Sequence, residues 1–160
     1  MLGDRQLREI LEARILSGEW SRRTGGRFNY PSEYRVAYLA QDPVTAQAEA
    51  EQIQAPYVHL PVRGTLERVL DLTRHDLLET LETSAEELGQ EWRLLNFRGI
   101  EAPSQRLGHA AHLSRRVEAI SYHSLVLPAG VCLAVFPDRL TGRSFLEIED
   151  PAGILLERIP

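Results

Sequence analysis

The sequence contains no lysine, and Cys132 is its single cysteine. The absence of lysine excludes a Schiff-base nucleophile and a lysine phosphate clamp. Any bound anion must therefore be held by arginine, which supplies all 18 basic residues, by helix N-termini or by backbone amides. One cysteine also excludes an internal disulfide and a thiolate zinc cluster.

Long apolar segments are absent as well. No run approaches the roughly 18 residues of a transmembrane helix, and the N-terminal residues carry acids where a signal peptide would be apolar. A net charge of −5 argues against a general nucleic-acid-binding surface. We therefore expect a cytoplasmic protein without direct membrane or nucleic-acid contact, folded as one domain over residues 1–160.

The elements expected from the sequence mix helices and strands. Periodicity and capping signals predict helices over 4–16, 42–54, 74–95 in two pieces joined near Thr83, and 104–117. Alternation and β-branched content predict strands over 35–40, 119–127, 131–137 and 143–150, with two short strands around Gly64 within 57–73. Because the two kinds of element do not alternate regularly, the expected fold class is α+β.

Three residues with different chemistry follow one another at steps of about eleven positions, namely Arg27, Tyr38 and Glu49. Taken singly, they fit a turn, a core tyrosine and a solvated helix glutamate. Asp42 and Pro43 fix a helix start directly after the strand of Tyr38, which places Glu49 about two turns into that helix. A guanidinium, an aromatic face and a carboxylate in one cleft could bind the diphosphate, ring and ribose of a dinucleotide.

The ordered motifs resemble the RES domain family, which is named for arginine, glutamate and serine. The resemblance lies in "GGRFN…AYLAQDPVTAQAEAE", in "APSQRLGHAA" and in "ISYHSLVLPAGVCLAVFPD", and it runs from about Gly18 to Asp150. It implies a compact ADP-ribosyltransferase-like domain, with a mixed sheet core and flanking helices, that uses NAD as a substrate. Members of the family are mostly toxins that pair with a helix-turn-helix antitoxin, and the resemblance allows a homodimer.

The resemblance also implies roles for particular residues. Glu49 would hydrogen-bond the ribose hydroxyls and stabilise an oxocarbenium-like state as nicotinamide leaves. Arg27 would bind the diphosphate or an incoming phosphate, and Tyr38 would orient the nicotinamide. Ser124, the serine of the family name, would hydrogen-bond the ribose or the carboxamide. It is not expected to act as an acyl-type nucleophile, because the sequence offers no His–Asp relay for it.

The sequence departs from the family pattern at three points. Cys132 stands where the family usually has asparagine, and it cannot supply the hydrogen bonds of an amide. Arg8 is the nearest candidate for an early family arginine that would contact NAD, although a surface helix residue is an equal alternative. Glu51 is a second acid on the helix, but spacing favours Glu49, since the two lie about 200° apart around the axis.

The histidines give no convincing metal-ligand spacing. His109 and His112 are three positions apart on one predicted helix, but the sequence presents no third ligand, and His59 and His75 are isolated. We therefore expect no metal site.

Three functions follow from these expectations. The first is an NAD-consuming toxin that breaks the nicotinamide–ribose bond by glycohydrolysis or phosphorolysis, with water or phosphate as acceptor. The second is a protein ADP-ribosyltransferase, which needs the same cleavage step. The third is a degenerate module that binds NAD or an antitoxin without turnover, which the replacement at Cys132 would favour.

Overall fold

The computed structural model describes residues 14–31, 33–53, 57–149 and 152–160. Two 3₁₀ turns, over Ile15–Ser17 and Pro137–Arg139, accompany the longer elements. The helices are α1 (Glu19–Thr24), α2 (Pro43–Glu51), α3 (His75–Thr80), α4 (Ala85–Leu88), α5 (Trp92–Phe97) and α6 (Pro103–Ser114). The strands are β1 (Ala37–Ala40), β2 (Val62–Thr65), β3 (Val69–Asp71), β4 (Ala119–His123), β5 (Val131–Val135), β6 (Phe145–Glu149) and β7 (Leu155–Ile159).

The strands form two sheets. The first has the order β1-β5-β4-β3, in which β3 runs parallel to β4 and the other pairs are antiparallel. The second has the order β2-β6-β7 and is antiparallel throughout. Mixed sheets with helices packed around them in a single compact domain are an α+β fold, so the expected fold class is confirmed.

The two faces of the four-stranded sheet belong to different apolar clusters. Because side chains alternate along a strand, Ile120, Tyr122 and Cys132 face one cluster with Phe28 and Phe136. Ala119 and Val135 face the other cluster, which packs against the three-stranded sheet through Leu146 and Ile148. The first face carries the candidate functional residues described below.

The start of α2 follows from local sequence. Asp42 has an extended backbone, and its side chain accepts a hydrogen bond of 2.9 Å from the amide of Thr45, while Pro43 occupies the first helical position. A capping carboxylate and an N1 proline are a strong helix start, so this prediction is confirmed. The cap holds the helix directly beside the end of β1, which positions Glu49 over the sheet.

Several element predictions need correction. Residues 74–95 contain three helices instead of two pieces, because the turn at Gly89 and Gln90 separates α4 from α5. Gly64 lies inside β2 instead of between two strands, and a Cβ there would be 2.1 Å from the carbonyl oxygen of Phe145 on the paired strand. Helix α1 and strand β7 were not expected at all. Residues 4–13 of the first predicted helix lie outside the described residues.

Other strands are shorter than expected. The strand predicted over 119–127 ends at His123, because the chain turns after Ser124. Within this turn the amide of Gly130 donates a hydrogen bond to the carbonyl of Leu127.

Within the described ranges, no helix combines the length and apolar character needed to cross a bilayer.

Candidate active site

The loop that carries Arg27 is closed on itself. Gly26 and Asn29 form an isolated antiparallel bridge, with the amide of Gly26 donating 2.9 Å to the carbonyl of Asn29. A Cβ at Gly26 would lie 2.5 Å from the ring of Tyr38, so only glycine allows the loop to approach this strand so closely. The glycine pair thus brings Arg27 against the four-stranded sheet.

Tyr38 holds the same loop in place through its hydroxyl. Its hydroxyl accepts a hydrogen bond of 2.8 Å from the amide of Phe28 and donates one of 2.8 Å to Oδ1 of Asn29. Burial raises the pKa of this hydroxyl well above its usual range, so it stays neutral. Both of these bonds go to the loop, and they place Tyr38 as a support of Arg27.

Gln105 fixes the loop from helix α6. This fully buried amide donates to the carbonyls of Gly26 and Asn29, at 2.9 and 3.1 Å, which flank Arg27 on both sides. It also exchanges hydrogen bonds of 2.8 and 2.9 Å with the amide of Asn96. Gln105 was not predicted as a functional residue, although it lies in the segment "APSQRLGHAA" that resembles the RES family.

The guanidinium of Arg27 is oriented by main-chain oxygens. Its Nη1 donates 3.0 Å to the carbonyl of His123, and its Nε donates 3.4 Å to that of Leu88. The group lies over the ring of Tyr122, 4.8 Å from the centroid, which is a cation–π distance. No partner for Nη2 occurs among the described residues, so this end is available to an anion.

Burial lowers the pKa of Arg27, while the fields of Tyr122 and Glu49 oppose that shift. An arginine stays charged at neutral pH even so. The site therefore offers a half-buried positive charge. A half-buried guanidinium would attract a phosphate more strongly than a fully hydrated guanidinium would.

Glu49 meets Ser124 at the end of strand β4. The hydroxyl of Ser124 donates 2.7 Å to Oε1 of Glu49, although 75 positions separate the two residues. The thiol of Cys132 lies 3.8 Å from the same oxygen, a weak contact. Oε2 of Glu49 has no hydrogen-bond partner in the part of the chain that the structure describes. One carboxylate oxygen is thus anchored and the other is available.

The hydroxyl of Ser124 is fully used within the protein. Besides donating to Glu49, its oxygen accepts from the amides of Val126 and Leu127, at 3.1 and 2.9 Å. Ser124 itself is 3% exposed. A hydroxyl with both lone pairs and its proton engaged holds Glu49 and the 124–130 turn in place, and it is poorly suited to attack a substrate.

Tyr122 and Cys132 line the floor of the site. They lie opposite one another on β4 and β5, and both are buried. Burial raises the pKa of Cys132 to about 12, with the charge of Glu49 adding to the effect, so the thiol is neutral at physiological pH. Tyr122 was missed as a candidate, although it lies two positions before Ser124 and strand alternation could have indicated a shared face.

Three of the residues expected at the site, Arg27, Glu49 and Ser124, therefore lie on one face of the sheet. Tyr38 supports the loop behind them. Glu51, the competing acid, is exposed and accepts a hydrogen bond of 2.9 Å from Gln47 on its own helix. Arg8 lies outside the described residues.

A cavity of about 1000 Å³ lies elsewhere, between the two sheets. Its walls include Leu39 and Leu133, on the opposite face of the four-stranded sheet, and Leu146 and Ile148 of the three-stranded sheet that packs against that face. Of the expected site residues that the structure describes, Tyr38 alone borders it. We therefore assign the candidate chemistry to the Arg27–Glu49–Ser124 face, where charged and hydrogen-bonding groups converge.

Comparisons with known proteins agree with this architecture. The model of a family described as the RES domain matches residues 5–150. No curated protein matches the chain in sequence. Among solved structures, the chain is similar to one chain in the crystal structure of the M. tuberculosis MbcT–MbcA toxin–antitoxin complex. That similarity has a TM-score of 0.61 and 25% sequence identity, and it covers 83% of this chain and 73% of the other.

Proposed function

The chain belongs to the RES domain family, and from that premise we propose that it is a toxin that cleaves the nicotinamide–ribose bond of NAD. The observation that carries the proposal is the Ser124–Glu49 hydrogen bond of 2.7 Å beside the guanidinium of Arg27. The acceptor of the ADP-ribosyl group is water or phosphate. The family membership supports the substrate class, and the geometry supports the proposed roles of the residues.

Glu49 carries the chemical step. Nicotinamide leaves as a neutral base, so positive charge develops on the ribose in the transition state. The free Oε2 of Glu49 would accept a hydrogen bond from a ribose hydroxyl and stabilise that charge. Because Ser124 already anchors Oε1, the carboxylate does not need to reorganise as the charge forms, which is the condition for strong electrostatic catalysis.

Arg27 and Tyr122 carry binding. The free Nη2 end of Arg27 would bind the diphosphate, or an incoming phosphate, by a charge-assisted hydrogen bond. The neighbouring ring of Tyr122 keeps the guanidinium in place by the cation–π contact. Tyr38 and Ser124 act on the substrate through Arg27 and Glu49, since their own hydroxyls are engaged within the protein.

An antitoxin partner completes the proposal. The solved relative is part of a toxin–antitoxin complex, and the RES resemblance implies a helix-turn-helix antitoxin for this chain. An active NAD-cleaving enzyme would deplete its own cell, so a bound partner that covers the Arg27–Glu49 face would hold it inactive. Coexpression with the partner should abolish the growth arrest that the toxin causes.

The test is nicotinamide release from NAD by the purified protein without its partner, measured with and without phosphate. Glu49→Gln keeps the size of the side chain but removes its charge, and it should reduce release at least about 100-fold. Glu51→Gln is the matched control, because it changes the same residue type on the exposed side of the same helix. Release that needs phosphate identifies phosphorolysis, and release without it identifies hydrolysis.

Two results would decide against the proposal. Equal losses in the Glu49→Gln and Glu51→Gln proteins would remove Glu49 from the site. Absence of release by a folded wild-type protein would leave the other two functions, which labelled NAD separates. Label on a protein band would indicate a protein ADP-ribosyltransferase, whereas stoichiometric binding of intact NAD would indicate a module without turnover.

A further inference from the structure

We propose that Glu33, Glu101 and His109 form a binding site for one divalent transition-metal ion. The three residues come from separate segments, namely the loop before β1, the residue before the N-cap of α6, and the second turn of α6. One potential ligand atom from each lies within 4.8 Å of the other two. The sequence did not indicate ligands to accompany His109, because Glu33 and Glu101 come close to it only in the folded chain.

The distances fit a site that closes around an ion. Nδ1 of His109 lies 3.8 Å from Oε2 of Glu33, which is too long for a good hydrogen bond. Bonds of about 2.1 Å to a tetrahedral zinc ion separate neighbouring ligand atoms by about 3.4 Å. For Glu33 and His109 the gap is thus a few tenths of an ångström, and Glu101, whose ligand atom lies within 4.8 Å of both, would move toward the same ion.

Glu101 gives an independent reason to expect a cation. Its Oε1 is buried and has no hydrogen-bond partner within the described ranges. A buried carboxylate oxygen without a partner is costly, because it has lost its water and gained nothing in return. Arg106 is close, but its guanidinium donates 3.3 Å to the carbonyl oxygen of Glu101 and not to the carboxylate. A metal ion would satisfy the unpartnered oxygen.

The carboxylates of the cluster lack the arginine partners that other acids in the described part of the chain have. Many acids of this protein pair with arginine, as Glu147 does with Arg63 and Arg158. Neither Glu33 nor Glu101 forms such a pair among the residues that the structure describes. Their negative charge adds to burial in raising the pKa of the neighbouring Tyr34. Two carboxylates repel each other, so a cation between them would stabilise this corner of the fold.

The donor set indicates the kind of ion. One imidazole and two carboxylates suit zinc and its neighbours in the first transition series, whereas magnesium and calcium prefer oxygen ligands alone. The bound ion would tie the loop of Glu33 to helix α6, whose Gln105 fixes the loop of Arg27. The site does not depend on the function proposed above, since its ligands are separate from Arg27, Glu49 and Ser124.

The experiment uses the untagged full chain, stripped with a chelator and titrated with Zn²⁺ against a chromophoric zinc indicator. We expect one zinc per chain and a higher melting temperature with zinc, since a ligand of the folded state stabilises it. Glu101→Gln and His109→Ala should each weaken zinc binding at least about tenfold, the loss that even an outer-shell partner can cause. Excess Mg²⁺ should not displace the zinc.

His75→Ala is the matched control. His75 and Glu79 form a similar exposed pair, with 3.4 Å between Nε2 and Oε1, but no third ligand among the described residues joins them. The variant should bind zinc as the wild type does. Circular dichroism and melting of the metal-free variants establish that each is folded. Absence of saturable one-to-one binding, or unchanged affinity in both Glu101→Gln and His109→Ala, would overturn the proposal.

Discussion

The hydroxyl of Ser124 lies 2.7 Å from Oε1 of Glu49 and donates its proton to that oxygen. The same hydroxyl accepts hydrogen bonds from the amides of Val126 and Leu127, so one side chain fixes both the carboxylate of Glu49 and the turn after β4. Ser124 is therefore a positioning residue in the proposed reaction. Substitutions of Ser124 and of Glu49 should consequently have different effects in experiment.

We expect Ser124→Ala to lower both stability and activity. It removes the acceptor of two partly buried amide hydrogen bonds, which together should contribute about 1–3 kcal/mol to the free energy of unfolding. It also frees Glu49 to move, and a misplacement near 1 Å can cost about 100-fold in rate. Urea unfolding and nicotinamide release would measure the two effects.

Ser84→Ala is the control for Ser124→Ala. The hydroxyl of Ser84 caps α4 by accepting 3.1 Å from the amide of Glu87, and loss of a cap costs about 1 kcal/mol. This variant should lose a similar amount of stability and keep its rate. An equal fall in rate would mean that lowered stability, and not the position of Glu49, explains the Ser124 result.

Gln105→Ala should affect substrate binding more than the chemical step. The substitution leaves the carbonyls of Gly26 and Asn29 without their buried donor, at a cost of at least about 2 kcal/mol in stability. The loop of Arg27 then loses its fixed position. If Arg27 binds the diphosphate in ground state and transition state alike, KM for NAD should rise while kcat changes little.

Steady-state kinetics over a range of NAD concentrations checks this prediction. Gln90→Ala, at an exposed position after α4, should leave KM and kcat unchanged. A fall in kcat at constant KM in Gln105→Ala would instead place the loop in the chemical step.

The sequence could predict those parts of the site that depend on local rules. The Asp42–Pro43 start fixes where α2 begins, and the helical period then places Glu49 near the end of the sheet. The α+β class and the polar glycine loop follow equally from local signals. These features need no knowledge of distant contacts, because capping and turn preferences act over a few residues.

The features that the sequence could not predict depend on tertiary packing. From the sequence alone, the hydroxyl of Tyr38 could contact either a ligand or a loop. It contacts the loop because Gly26 packs closely against the ring of Tyr38. Gln105 reaches its partners from almost 80 positions away. Strand β7 escaped detection because Glu157 and Arg158 interrupt its apolar pattern. Both have distant partners: Oε1 of Glu157 accepts a hydrogen bond from the amide of Leu16, and Arg158 donates one to the carboxylate of Glu147.

His112 should make stability depend on pH in the mildly acidic range. The ring is buried, stacks on Tyr34 at 4.4 Å and lies 2.9 Å from Oδ2 of Asp138. Burial lowers the pKa of His112 below 6.5, and Arg139 and His109 act in the same direction, although Asp138 opposes them. Below about pH 6.5 the unfolded chain therefore binds a proton that the folded chain resists, so stability falls as pH falls.

Urea unfolding at pH 7.5, 6.5 and 5.5 checks this dependence. His112→Gln should flatten the decline, since glutamine cannot take up the proton. His75→Gln, at an exposed site, should keep it. Carboxylates with a lowered pKa, such as Asp71, lose their contribution only nearer pH 4, outside this window. An identical decline in the His112→Gln protein would contradict the assignment.

Cys132→Asn should increase the rate of nicotinamide release. The thiol is neutral, with a pKa of about 12, and its contact with Oε1 of Glu49 is long at 3.8 Å. The family usually has asparagine at this position, and an amide there could donate a short hydrogen bond to the carboxylate. A hydrogen bond to a charged group contributes about 1.5–3 kcal/mol, so a better-fixed Glu49 could gain up to about tenfold in rate. Cys132→Ala removes the sulfur without adding a donor and should leave the rate nearly unchanged. A folded Cys132→Asn protein with a lower rate than Cys132→Ala would show that the cysteine suits this site better than the amide does.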